Sequence, residues 1–316
     1  MDRTRPHLMS AYGGEGWQPR SRSLAGELGN IWGQGGMCSE WEPIKAVLLH
    51  RPGEELAASA DPASVQMVEP LDLARAREQH DLMAQAYRNA GAVVHYVDPI
   101  HTPKPNQMFA ADLMFMTPEG AILARPASDV RAGEEREVAK ALAALGIPIV
   151  RSISGRATFE GADAMWITPK KVLVGRGMRT NAEGVRQLRS VLGEMGVEVI
   201  DVDMPVGTMH LMGMLRVVGE NLALAWPVRL VYAAVEALAE EGYQVAFLPD
   251  VSEAIHNAAF NFVTLGPRRI LMPAGNPISQ KFYESLDIDC VTTPTDELYK
   301  AAGSIGCLTG ILERKL

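Results

Sequence analysis

The stretch DAMWITPKKVLVGRGMRTNAEGVRQLRSVLGEMGVEVI, residues 163–200, decides the fold. It opens with an apolar run, turns at Pro169, returns through KKVLVG and then changes period. From Asn181 onward the apolar residues Val185, Leu188, Val191 and Leu192 fall at three and four spacing, which lines one face of a helix. Gly196 supplies a C-terminal cap, and VEVI reads as a short strand. The unit is strand, strand, helix, strand.

The same unit returns on both sides. Upstream run MFAADLMFM, AILARP, GEEREVAKALAALG and IPIV; downstream run HLMGMLRVV, NLALAW, PVRLVYAAVEALAEEG and YQVAFL, then AAFNFVTLG, RRILMP, NPISQKFYESLD and IDCVTT. The opening unit is less regular, with KAVLLH, a helix over LDLARAREQHDLMAQAYRNAG and VVHYV. Its missing strand is expected from CLTGILER at the far end of the chain. Helix starts recur about every fifty residues, the signature of a repeat architecture. Units of this size cannot bury both faces alone, so the expected fold is an α/β propeller of five ββαβ blades with its helices outside. Residues 41–316 are expected to form one domain. Residues 1–40, Gly-rich and without sustained periodicity, form an N-terminal extension for which a lid, a subunit contact and an arm all stay open.

The 316 residues, 47% hydrophobic and 22% charged, suffice for a large core. No apolar run approaches the ~18 residues of a membrane span, and MDRTRPHLMSAYGGEGW lacks the apolar core of a secretory signal. A cytoplasmic protein without membrane contact is expected. The three cysteines form no CxxC pair, which argues against a disulfide framework or structural zinc. A formal charge of -8 disfavours nucleic acid as a partner and favours a cationic small molecule.

Cys307, in GSIGCLTGIL, is flanked by small residues that leave a ligand room to reach sulfur; ordinary packing is the rival reading. Cys290 within IDCVTT fits packing better, and Cys38 lies in a loop. His210 opens HLMGMLRVV, where one imidazole can face a cavity. Asp112 inside MFAADLMFM, and Glu160 and Asp163 inside ATFEGADAMWI, are carboxylates in apolar runs, which need a partner or a cation. Taken singly, each is equally well explained by a salt bridge or a turn cap. Together they favour a cation site. His210 has no histidine three to five residues away and no HExxH pattern is present, so an organic cation is preferred to a metal.

These segments, taken in order over roughly residues 39–316, resemble the guanidino-modifying pentein superfamily: arginine deiminases, dimethylarginine dimethylaminohydrolases and amidinotransferases. SEWEPIKAVLLHRPG is similar to the family's opening strand. PNQMFAAD implies that Asn106 helps hold the amino-acid end and that Asp112 binds guanidinium. EGAD implies a guanidinium-binding and catalytic role for Glu160, with Asp163 nearby. ARP and GRGMRTN imply that Arg125 and Arg179 grip a substrate carboxylate, so agmatine should be a poor substrate. HLMG and GCLTG imply His210 as general acid/base and Cys307 as nucleophile. Where deiminases and amidinotransferases read His-x-Asp, this chain has Met212, whose thioether cannot accept charge-assisted hydrogen bonds, so a substituted guanidine is expected. Gly306 stands where deiminases often have His.

The resemblance implies a cysteine-dependent hydrolase of arginine or an N-substituted arginine. It would work without a cofactor or metal, through a covalent thiouronium, to a ureido product such as citrulline. An amidinotransferase is the nearest alternative, and a pentein that acts only by surface binding is a further one. A homo-oligomer stays open.

Overall fold

The repeated pattern produces five three-stranded sheets in the computed structural model, which describes residues 17–57, 61–99 and 102–316. The first sheet holds β1 (Ile44–Leu49), followed by α1 (Leu73–Asn89) and β2 (Val93–Tyr96). The second is β3 (Met114–Thr117), β4 (Gly120–Leu123), α2 (Glu134–Ala144) and β5 (Ile149–Ser152). The third, the stretch quoted first above, is β6 (Ala164–Thr168), β7 (Lys171–Arg176), α3 (Ala182–Glu194) and β8 (Glu198–Asp203). The fourth is β9 (Leu215–Gly219), β10 (Leu222–Ala225), α4 (Tyr232–Glu240) and β11 (Gln244–Phe247). A short α5 (Ser252–His256) leads to the fifth: β12 (Val263–Gly266), β13 (Arg269–Pro273), α6 (Pro277–Glu284) and β14 (Asp289–Thr293). Two one-turn helices, α7 (Asp296–Tyr299) and α8 (Ile305–Leu308), precede β15 (Gly310–Arg314).

Within each sheet the middle strand runs antiparallel to one neighbour and parallel to the other. In the first sheet the antiparallel neighbour is β15, with Val47 opposite Ile311 and Leu48 opposite Gly310. The end of the chain thus completes the blade with which the chain began, closing the five-bladed α/β propeller as the pattern predicts.

The helical periodicity appears as burial. Val185, Leu188, Val191 and Leu192 of α3 are all buried, each contributing about 1.5–3 kcal/mol relative to exposure. They belong to a cluster that spans neighbouring blades, in which Phe115 and Trp166 stack at 5.7 Å and Trp166 Nε1 donates to the Met116 carbonyl at 3.1 Å. Gly196 ends α3 at φ 71°, the left-handed conformation a C-terminal cap requires. The fourth helix starts later than its sequence suggests: Val228 takes φ 68°, which breaks the helix before Tyr232.

The first strand of each blade is also shorter than its apolar run. In MFAADLMFM, Ala110–Asp112 form a 3-10 turn and the strand begins at Met114. Gly161–Asp163 and Leu211–Gly213 do the same in the next two blades. Asp112 therefore sits in a tight turn, and His210 is the extended residue that leads into one.

Of the N-terminal extension, residues 1–16 lie outside the described residues. Gly36 donates to the Leu312 carbonyl at 2.9 Å and accepts from Arg314 N at 3.0 Å, extending the edge of β15. Gly33 donates to the Gly146 carbonyl at 2.8 Å, and a Cβ at Gly33 would come within 1.9 Å of the Leu145 carbonyl. The described part of the extension is thus tied to the first two blades and lines neither cavity described below.

Candidate active site

Each blade delivers one polar residue just ahead of its first strand: Asp112 before β3, Glu160 before β6, His210 before β9, Asn261 before β12 and Cys307 before β15. The tight turns let a single side chain leave the apolar run and meet its counterparts from the other blades. His210 Nε2 lies 2.6 Å from Glu160 Oε2 and 3.8 Å from Asp112 Oδ1. Asn261 clamps Cys307 from two directions: Nδ2 donates to Sγ at 3.0 Å, and Oδ1 accepts from the Cys307 backbone N–H at 3.2 Å.

Two cavities meet at Cys307. The smaller, about 30 Å³, is bordered by Asn106, Asp112, Arg131, Arg179, His210 and Cys307. The larger, about 280 Å³, extends from His210 and Cys307 past Met212, Met214, Trp226 and Phe260. Asn106 is buried, its Nδ2 donating to the Val65 carbonyl at 2.7 Å. Arg179 Nη1 stands 3.3 Å from Glu160 Oε1.

Two expected site residues are not brought in. Arg125 is exposed, donates Nη1–H to the Ala157 carbonyl at 2.9 Å and borders neither cavity. Asp163 is buried with both oxygens used, Oδ2 by the Thr180 hydroxyl at 2.6 Å and Oδ1 by the Leu211 N–H at 3.0 Å. It holds the turn that follows His210 and borders neither cavity. Burial pushes its carboxyl up to about 6.

The arginine that does reach the cluster is Arg131. Its Nη1 donates to Asp112 Oδ2 at 2.6 Å and lies 3.5 Å from Glu160 Oε2, while Nε and Nη2 face Glu134 Oε2 at 2.9 and 2.8 Å. Asp112 and Glu160 thus already flank one guanidinium. Asp112 Oδ1 is left buried with no hydrogen-bond partner among the described residues, an unused acceptor. Asp112, Glu160 and His210 also offer three atoms within 4.8 Å of one another, a spacing a metal ion would accept; the cation the structure places there is a guanidinium.

Asn261 and Arg131 went unnoticed in the sequence, though Asn261 is the lone polar residue of AAFNFV and Arg131 precedes Glu134 at i,i+3. Arg216, a charge in the apolar strand β9, also borders the large cavity. The criterion that singled out the carboxylates applies equally to it.

The charges shape one another. Burial alone would depress the His210 imidazolium, but the Asp112, Glu160 and Asp163 carboxylates outweigh it and push it up to about 9. Burial would raise Glu160; the His210 hydrogen bond, with Arg131 and Arg179 behind it, holds it down at about 2. Burial raises the Cys307 thiol and the Asp112 charge adds to this, against the hydrogen bond from Asn261 and the charge of Arg216. Cys290, by contrast, is pushed up to about 12 by burial and lies on β14, away from both cavities.

Residues 60–309 match the family model described as N,N dimethylarginine dimethylhydrolase, eukaryotic. An N(G),N(G)-dimethylarginine dimethylaminohydrolase of Streptomyces coelicolor is 30% identical over 268 residues, which is 84% of this chain and 96% of that protein. Among solved structures, a citrulline complex of a cysteine-to-serine variant of the Pseudomonas aeruginosa dimethylarginine dimethylaminohydrolase superposes with a TM-score of 0.71. It is 22% identical, over 86% of this chain and 100% of that one. An amidinotransferase from the saxitoxin pathway of Microseira wollei superposes at 0.73 with 14% identity, over 89% and 98%. The last two establish the shared fold.

Proposed function

The chain belongs to the dimethylarginine dimethylaminohydrolase family, and on that premise we propose that it hydrolyses the guanidino group of an N-substituted arginine through a covalent bond to Cys307. One observation carries the reading. Cys307 borders the same cavity as Asp112, one of whose oxygens has no hydrogen-bond partner among the described residues, and as His210, itself hydrogen-bonded to Glu160.

A guanidinium carbon is a poor electrophile, so the reaction needs a thiolate and a fixed plane. Asp112 Oδ1 receives guanidinium N–H groups, with Arg131 steadying Asp112 through its other oxygen, while Glu160, whose oxygens already take the His210 ring and the Ala127 N–H, orients His210 and holds its charge. Asn106 and Arg179, which border the same cavity, take the amino-acid end in this reading. The resting thiol is raised; a cationic substrate beside it favours loss of its proton to solvent, His210 already being protonated.

Sulfur then adds to the guanidine carbon, and the pair of electrons moves onto nitrogen. As the C–N bond breaks, protonated His210 gives its proton to the departing amine, leaving a thiouronium on Cys307. Neutral His210 next takes a proton from water, whose oxygen adds to the carbon. The C–S bond breaks, the thiol regains its proton, and a ureido product such as citrulline leaves.

The large cavity beside Cys307 also has room for an amine, which keeps transfer to an acceptor as the second reading. Incubation with arginine and its methylated forms, with and without glycine, separates the two by mass spectrometry: a ureido product in both mixtures, against a new guanidino compound only with glycine. Cys307→Ser should abolish turnover and the trapped adduct together. Substantial turnover by that variant would remove Cys307 as nucleophile.

A further inference from the structure

The large cavity exceeds what dimethylamine needs. At about 280 Å³ it has the room of roughly nine liquid waters. His210, the proton donor to the departing amine, and Cys307 border both cavities. The proposed function assigns the amino-acid end to Asn106 and Arg179, and on that assignment the group departing from the guanidine extends into this second space. Its walls are apolar along Met212, Met214, Trp226 and Phe260.

One wall residue is out of keeping. Arg216 is only 7% exposed; its Nε donates to the Phe260 carbonyl at 3.2 Å and its guanidinium lies 5.4 Å from the Phe262 ring centre. Nη2 is buried and has no hydrogen-bond partner among the described residues. It occupies the space beside Gly306, where a Cβ would approach within 2.4 Å of it. A buried N–H left without an acceptor is unfavourable, although the Arg216 charge already faces Cys307 and the Glu40 carboxylate. At the rim, Arg229 lies 4.6 Å over the Trp226 ring, a second positive charge on the same cavity.

We propose that this cavity receives the departing amine, and that this amine is longer than dimethylamine and ends in a carboxylate that pairs with Arg216. The inference rests on the guanidino-hydrolase reading and names its substrate class: arginines whose guanidine carries an apolar spacer and a terminal acid. The released product would be an amino acid of that length, formed as the C–N bond breaks and the His210 proton passes to nitrogen.

The test compares kcat/KM for methylarginine, dimethylarginine, N-alkyl arginines of graded length and N-carboxyalkyl arginines of the same lengths, with the released amine identified by mass spectrometry. At the best length the carboxyalkyl form should exceed both its uncharged counterpart and dimethylarginine by about tenfold or more, as expected of a hydrogen bond to a charged group. Arg216→Met should collapse the carboxyalkyl-to-alkyl ratio, and Arg216→Lys should restore part of it. Met212→Trp should lower the ratio of long to methyl substituents. If Arg216 serves only as a counter-charge to sulfur, Arg216→Met slows every substrate alike and leaves the ratio intact, which overturns the carboxylate pairing. Cleavage of the methylated arginines alone overturns the cavity assignment and leaves the hydrolase standing. Cleavage of none overturns both.

Discussion

Asn261 makes two hydrogen bonds to one residue, and its removal should be read in the reactivity of sulfur. Nδ2 donates to Cys307 Sγ at 3.0 Å while Oδ1 holds the Cys307 N–H at 3.2 Å. The donor bond favours the thiolate, and a hydrogen bond to a charged group is worth about 1.5–3 kcal/mol. Asn261→Ala should therefore lower the thiolate fraction at neutral pH by about tenfold to a hundredfold. Burial and the Asp112 charge, which already raise the thiol, would then act against less opposition. The assay is the rate of alkylation by iodoacetamide as a function of pH, followed by intact mass, with Cys307→Ser reporting the background from Cys38 and Cys290. The expected result is a profile displaced to higher pH that reaches a similar plateau. A profile superimposable on that of the unmodified chain would refute the donor role, and circular dichroism separates either result from unfolding.

Further outcomes follow from the same geometry. His210 rises from 6.5 to about 9, so its contribution of about 3 kcal/mol is fully present below 6.5 and is lost as pH climbs through 9. Glu160→Gln removes the 2.6 Å partner; the alkaline loss of stability should shift to lower pH in denaturant titrations, and an unshifted curve would disprove the coupling. Asp163 rises from 3.8 to about 6, so the fold loses about 3 kcal/mol as pH rises between those values. Asp163→Asn can still accept from Leu211 and donate to Thr180, and it should melt higher than the unmodified chain at pH above 6. Gly161→Ala would bring a Cβ within 2.0 Å of the Met114 carbonyl and 2.5 Å of that of Ala111. A loss of about 2 kcal/mol or more is expected, measurable by urea unfolding; an unchanged midpoint would contradict the close approach.

The propeller was legible because its signal is periodic and repeated. Val185, Leu188, Val191 and Leu192 mark a buried face without reference to any other blade, and the terminal CLTGILER could be paired with the opening blade because that blade lacked a strand. Asp112 and Glu160 were legible as charges in apolar runs, Cys307 by its small neighbours and His210 by its place at the head of a strand; His210 lies beside Glu160 and Asp112, and Asp112, His210 and Cys307 border one cavity. Arg125 and Arg131 could not be told apart in this way. Both follow β4, and it is the 3-10 turn Asp129–Arg131 that aims the second at Asp112. Asp163 looked like its neighbour Glu160 because the hydroxyl and amide that occupy it come from Thr180 and Leu211, both distant in sequence. Asn261 and Arg216 carried the same signature as the carboxylates but without a negative charge.

The pairing of β15 with β1 makes Cys307, the proposed nucleophile, the last of the site residues to arrive. During synthesis four of the five blades can assemble with their acids and imidazole in register before the sulfur exists in the pocket. Reactivity at Cys307 is consequently a gauge of whether the ring has shut. A clip at the C-terminus that frees β15 would silence the protein while leaving most of its mass folded.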